Sequence, residues 1–242
     1  MSTQFPAFDP WFVLGKVLDA NTPRILLWGP PGTGKSLTPC LWAQENNWAF
    51  FSVTLTEETP MSELRGHFVL KGHDFVWHDG LIARAWRLSH SHPDGVLVVL
   101  NEIDHAGADV QSFLHNALDD PSMARMDLPG DETLTPAVGK VVYVATMNGR
   151  AEDLPDALRD RFPVTIEMPL PNPKALEALP PDLRTLASNS ATSKDRDRRI
   201  SPRMFFEYAN LRGPLGDQLA AAAIFGAAAP DLVNALTLAR SR

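Results

Sequence analysis

The sequence predicts an α/β fold: a doubly wound parallel sheet over residues 1–170, followed by a small C-terminal helical lid over residues 171–242. Three observations lead there. Short runs of branched apolar residues alternate with helical patterns, and that alternation puts helices on both faces of a parallel sheet. The first run ends in a glycine-rich loop that opens a helix. Beyond Pro169, Leu170, Pro171, Asn172 and Pro173, helical patterns and one polar tract are all that remain.

Taken in order, Arg24–Trp28 is an apolar run that reads as a buried strand. A helix is expected over residues 35–46 and a second strand over 48–54. Residues 95–100 form a run of branched apolar side chains, as in a strand covered on both faces. A similar run occupies 140–146, and a weaker one Val164–Glu167. Helices are expected over Leu81–Ser89 and over 109–118, where Val110, Phe113, Leu114, Ala117 and Leu118 share one face. Residues 68–77 and 125–135 read as hairpins inserted into this alternation, with turns around Gly72 and Gly130. The polar tract at 188–199 reads as a loop, and the alanine-rich tract at 219–239 as two helices of a soluble protein.

Bulk properties narrow the function. The 242 residues carry 22 basic and 29 acidic side chains, for a net charge of −7, which argues against a generalised electrostatic grip on nucleic acid. The single cysteine, Cys40, excludes an intramolecular disulfide and fits a reducing, cytoplasmic setting. The first ten residues lack the basic and apolar regions of a signal peptide. His67, His73 and His78, and the pair His90 and His92, match no metal-binding spacing. Trp77 and Trp86 read as packing residues rather than a base-stacking platform.

The chemistry concentrates in five short motifs. Gly29, Pro30, Pro31, Gly32, Thr33, Gly34, Lys35 and Ser36 match G-x-x-x-x-G-K-[ST], with Leu37 next in line. In that pattern glycines let backbone N–H groups wrap a phosphate at a helix start, the lysine neutralises the outer phosphates, and the hydroxyl ligates magnesium. Next, the apolar run at 95–100 ends in Asn101, Glu102, Ile103 and Asp104, where an acidic group can hold magnesium and Glu102 can polarise a water. Third, Asn148 follows the run at 140–146 and can orient that water, though an Asn-Gly pair is also a common turn. Fourth, Arg159 and Arg161 flank Asp160; either could meet a neighbour's γ-phosphate or form a surface ion pair. Last, Ser201 and Pro202 open a helix, from which Arg203 can turn to the nucleotide or to solvent.

In this order, these motifs resemble an AAA+ ATPase of the branch containing the MoxR, CbbQ and McrB-type proteins. The resemblance spans roughly residues 20–215, and includes Trp77, Gly80 and Leu81 before the second motif and the helix carrying Phe113 and Leu114 after it. It implies ATP and Mg2+ as cofactors, with residues 29–36 as Walker A, Asn101 and Glu102 as Walker B, Asn148 as sensor 1, Arg161 as arginine finger with Arg159 as its fallback, and Arg203 as sensor 2. It also implies a ring, usually a hexamer, because the finger is supplied in trans. The hairpins would be the family's insertions, facing a pore or a partner. One departure stands out: the family usually has Asp where this chain has Asn101, which loses a formal charge that Asp104 could restore. On this resemblance the expected function is ATP-driven remodelling or assembly of a separate protein, such as one with a von Willebrand A-like domain. A nucleic-acid motor, with Arg65, Lys71 and the basic residues of 194–199 lining a pore, is one alternative. A nucleotide-dependent assembly switch with little hydrolysis is another.

Overall fold

A computed structural model of the chain describes residues 9–191 and 199–240. Most of the expected polar loop, residues 192–198, and the N-terminal residues 1–8 lie outside the described residues. The elements run α1 (Pro10–Asp19), β1 (Arg24–Trp28), α2 (Leu37–Glu45), β2 (Ala49–Thr54), α3 (Met61–Arg65), β3 (Gly66–Lys71), β4 (Asp74–Asp79), α4 (Leu81–Ser89) and β5 (Val96–Asn101). They continue with α5 (Ala108–Ala117), β6 (Met126–Leu128), β7 (Glu132–Leu134), β8 (Val141–Met147), α6 (Asp156–Arg159), β9 (Val164–Glu167), α7 (Pro173–Glu177), α8 (Pro181–Ala191), α9 (Pro202–Phe225) and α10 (Ala229–Arg240).

Five strands form one parallel sheet in the order β2-β5-β8-β1-β9. Its alternating residues divide between two faces. Leu26, Val96, Val98, Leu100, Tyr143 and Ala145 pack in one core with Ile82, Ala85 and Trp86 of α4 and with Val110 and Leu114 of α5. The intervening Ile25, Leu27, Leu97, Val99, Val142 and Val144 are equally buried, on the face covered by α1 and α2. Such double burial is why β5 and β8 read as unbroken apolar runs rather than alternating ones. The parallel order brings the carboxyl ends of β1, β5 and β8 to one edge, where α/β proteins of this type bind ligands.

Three features depart from the expected elements. Helix α1 precedes the sheet, with Asp9 capping it through Trp11 N–H at 3.3 Å and Trp11, Leu14 and Leu18 turned inward. Helix α2 begins at Leu37 rather than 35, because Lys35 and Ser36 still belong to the loop's turns. The hairpins are present as β3–β4 and β6–β7, but the first is longer than expected and pairs Gly66 with Asp79. Both hairpins are tied to α4 by one side chain. Arg87 donates to Asp79 at 2.5 Å and makes a two-pronged contact with Glu132 at 2.5 and 2.8 Å.

The chain forms two compact units. One holds the parallel sheet and its helices, through Glu167. The other holds Pro30–Gly34 and the described residues from Met168 onward. The second unit has its own core, in which Phe205, Tyr208 and Phe225 of α9 meet Leu183 of α8 and Leu232 and Leu236 of α10. Pro202–Thr237 is long and apolar enough to cross a membrane by length and composition, yet it is not one continuous rod. Positive φ values at Gly216 and Gly226 break it, and the expected pair of helices results.

Inside the sheet unit, Trp86 Nε1 donates to the Tyr143 hydroxyl at 2.5 Å, and both rings are buried. Burial pushes the Tyr143 phenol well above its usual range, so it stays neutral. Tyr143→Phe leaves the indole N–H without its partner, and is expected to cost about 1–3 kcal/mol of stability. Urea unfolding should show a lower midpoint with an unchanged slope.

Candidate functional site

The site begins with the loop between β1 and α2. Gly29, Gly32 and Gly34 all have positive φ, at 136°, 76° and 104°. Glycine adopts these values without penalty, and the chain can therefore wrap tightly enough to turn its N–H groups inward. Gly32 carries a second constraint. A Cβ there would lie 1.9 Å from Ser201 Oγ, which belongs to the same compact unit. In that unit Asn172 N–H also donates to Thr33 O at 2.9 Å, fixing the loop's middle. Ser201 and Asn172 cap α9 and α7 through Arg203 N–H and Lys174 N–H.

Lys35 is nearly fully buried, unusual for an ammonium group. Its Nζ donates to Gly29 O at 2.8 Å and to Asn148 Oδ1 at 3.3 Å. Burial pushes the amine down to about 8, against the opposing pull of the Asp104 and Glu102 carboxylates. Lys35, Asn148 and the carboxylates of Asp104 and Glu102 thus lie together at the tips of β1, β5 and β8. Ser36 occupies the N-cap position of α2 and makes no capping hydrogen bond with its own side chain. Leu37 opens the helix and is exposed.

The β5 tip has its own geometry. Asn101 Nδ2 donates to Ser52 Oγ at 3.0 Å and to Val53 O at 3.2 Å. Its Oδ1 accepts from Thr146 Oγ1 at 3.4 Å. Glu102 sits in the left-handed region, with φ 55° and ψ 48°. A non-glycine residue held there costs on the order of 1 kcal/mol, a strain that recurs at functional sites. The chain then makes a 3-10 turn over Ile103–His105. In it, Asp104 Oδ1 is buried with no hydrogen-bond partner among the described residues, and Asp104 Oδ2 lies 3.6 Å from His105 Nε2.

The remaining expected residues are placed elsewhere. Arg159 pairs with Asp156 at 2.6 Å. Arg161 Nε donates to His115 O at 3.2 Å, and its guanidinium lies 3.6 Å from Asp119. Both arginines are therefore engaged with groups other than those around Lys35. Arg203 is exposed on the first turn of α9, in the second unit. Motif reading missed Ser52, Val53, Thr146 and Asn172. The first three matter only through Asn101, on strands that meet in space, and no local pattern marks them. Asn172 carried a signal, since Asn followed by Pro is a helix-start pattern.

These residues fit a nucleoside triphosphate and its divalent cation. The cradle at Gly32 admits no side chain, the ammonium is buried, and one carboxylate oxygen lacks a partner among the described residues. Strand order and loop position together leave one class, the P-loop nucleotide-binding proteins, here with the AAA+ arrangement. The AAA domain (dynein-related subfamily) matches residues 24–162, and the chain belongs to that family. Protein NorQ of Paracoccus denitrificans is 29% identical over 181 residues, covering 73% of this chain and 62% of NorQ. The chain thus spans somewhat under two thirds of that relative's length. Among solved structures, a Cytophaga hutchinsonii protein described as a candidate ATPase matches with a TM-score of 0.52 at 19% identity, over 81% of this chain and 57% of its own. A Thermotoga maritima RuvB variant matches with a TM-score of 0.54 at 18% identity, over 87% of this chain and 65% of its own. Both structural likenesses speak to the fold.

Two outcomes are expected. Gly32→Ala combines left-handed strain with the Ser201 contact and should weaken nucleotide binding by about tenfold or more, on a strain of about 1–3 kcal/mol. Ser201→Gly in the same chain should restore part of the loss, read by titration with a fluorescent nucleotide. The second concerns pH. The free protein loses the Lys35 proton near 8, and the triphosphate prefers the ammonium form. Affinity should hold steady below that pH and fall as pH rises above it. Lys35→Gln should bind more weakly and lack the inflection.

Proposed function

We propose that this chain is a MoxR- or NorQ-type ATPase that binds ATP with Mg2+, works as a ring of identical subunits, and remodels or assembles a separate protein partner. The observation that carries this reading is the convergence of Lys35, Asn148, Glu102 and Asp104 at one edge of the parallel sheet. The loop N–H groups of residues 29–36 and Lys35 would hold the phosphates. Ser36 would ligate the cation, and Arg203 would reach the nucleotide as sensor 2. Bound Mg2+ would neutralise charge that develops on the phosphates. Glu102 would accept the proton of the attacking water at its carboxylate, and Asn148 would orient that water while holding Lys35.

The arginines support the ring. Arg161 and Arg159 lie outside the Lys35 cluster of their own subunit, so a finger role requires a neighbouring subunit, with Arg161 preferred. The partner class suggested by the family resemblance is a protein with a von Willebrand A-like domain. The net charge of −7 weighs against nucleic acid as the working substrate. Turnover is expected to be slow, because the β5 tip presents an amide at Asn101, and work in the cytoplasm fits the single cysteine.

Glu102→Gln tests the reading. It should lower ATP hydrolysis by about 10²–10⁴-fold, the range for losing a positioned general base, while leaving ATP binding intact. Full activity in this variant would remove Glu102 from the role of base. Arg161→Ala should abolish hydrolysis without weakening binding by the same subunit; a monomeric protein with unchanged turnover would refute the finger in trans.

A further inference from the structure

A divalent cation bound with a triphosphate is a hard ion that seeks anionic oxygen. At the tip of β5 the first candidate is neutral, and its amide is already committed. Asn101 Nδ2 donates to both Ser52 Oγ and the Val53 carbonyl, and Oδ1 accepts from Thr146 Oγ1. The Val53 carbonyl can only accept, and the amide nitrogen of Asn101 is one of the donors it meets. A carboxylate in this position would set two acceptors against each other. Asn101 therefore ties together the ends of β2, β5 and β8.

Three residues on, the chain offers the missing charge. The left-handed Glu102 turns the backbone, and the 3-10 turn Ile103–His105 packs against β8, whose end leads into Asn148. Asp104 sits in the middle of that turn, its side chain 18% exposed. Its Oδ1 is buried and, among the described residues, has no hydrogen-bond donor. Burying a carboxylate oxygen without a donor is costly, and such an oxygen keeps its full capacity to accept from a cation or from water bound to one. Asp104 is also the nearer-acting of the two carboxylates whose field reaches Lys35, ahead of Glu102, which places it with the lysine of the 29–36 loop.

Resting on the ATPase reading above, we propose that Asp104, and not Asn101, is the carboxylate presented to the divalent cation, and that Asn101 is a hydrogen-bonded tie between strand ends. The acidic function is displaced by one short turn from the strand tip. Glu102, between the two, is left free to serve as base.

The test compares nucleotide affinity in Mg2+ with affinity in EDTA, using a fluorescent ATP analogue and the whole chain. The ratio of the two is the quantity of interest, and Mn2+ followed by electron paramagnetic resonance gives a direct second reading of the cation. Measured well below the pH at which Lys35 titrates, Asp104→Asn should keep or raise the metal-free affinity and lose about tenfold or more of the metal-dependent gain, the usual scale for removing a group that supports a metal. Asn101→Asp should lower the thermal midpoint and leave the metal-dependent gain no larger than wild type. Should Asp104→Asn not fold, Asp104→Ser removes the same charge with a smaller side chain. A wild-type ratio in the Asp104 variant overturns the proposal, and so does a larger gain in Asn101→Asp. Failure of the ATPase reading itself looks different: the unmodified chain would bind no nucleotide in either buffer.

Discussion

The burial of one ammonium group organises the sheet unit. Lys35 can stay charged in a desolvated position because several groups meet it there: the Gly29 carbonyl, the Asn148 side chain, and the fields of Asp104 and Glu102. Those groups come from three strands and the loop between two elements. They converge only because the strands run parallel and end at one edge. In an antiparallel arrangement, alternate strand ends would point away and the same residues would be spread across both edges. The doubly buried, branched apolar strands are thus the condition for the polar cluster at their tips.

Much of this was legible in the sequence, for identifiable reasons. Strands β5 and β8 announce themselves because burial on both faces leaves no polar alternation. The loop at 29–36 is legible because its glycines and lysine answer a local demand, backbone wrapping around a phosphate. Hairpins were placed but their lengths were not, because the pairing of Gly66 with Asp79 is settled by packing at the base rather than by the turn. The role of Asn101 could not be read at all. Its hydrogen bonds go to Ser52, Val53 and Thr146, on strands 45 residues or more away in one chain direction or the other. A substitution that looks like a lost charge in one dimension proves to be a three-strand tie in space.

The same distinction between local and distant causes applies to Gly32. Its glycine identity could be assigned to the loop's φ alone, since 76° favours glycine. The nearby Ser201 hydroxyl supplies an independent reason, arising about 170 residues further on. Two constraints therefore act on one position, one intrinsic to the turn and one imposed by the helical unit's own packing. The five residues Pro30–Gly34 belong structurally with residues that follow them at long range, although sequence places them between β1 and α2.

Arg87 has a consequence of a different kind. It joins the β3–β4 and β6–β7 hairpins to α4 through Asp79 and Glu132, and these groups lie at the surface. Links of that sort are screened by dissolved ions, with a Debye length of about 8 Å at physiological salt and about 3 Å at 1 M. The apolar sheet beneath them is insensitive to such screening. Phe68, Leu70 and Phe75 stand exposed on the first hairpin, so an apolar projection is joined to α4 by charge links that salt weakens, over a sheet that salt does not affect. The salt concentration at the moment of contact, and not the fold beneath, then sets how firmly this projection is held.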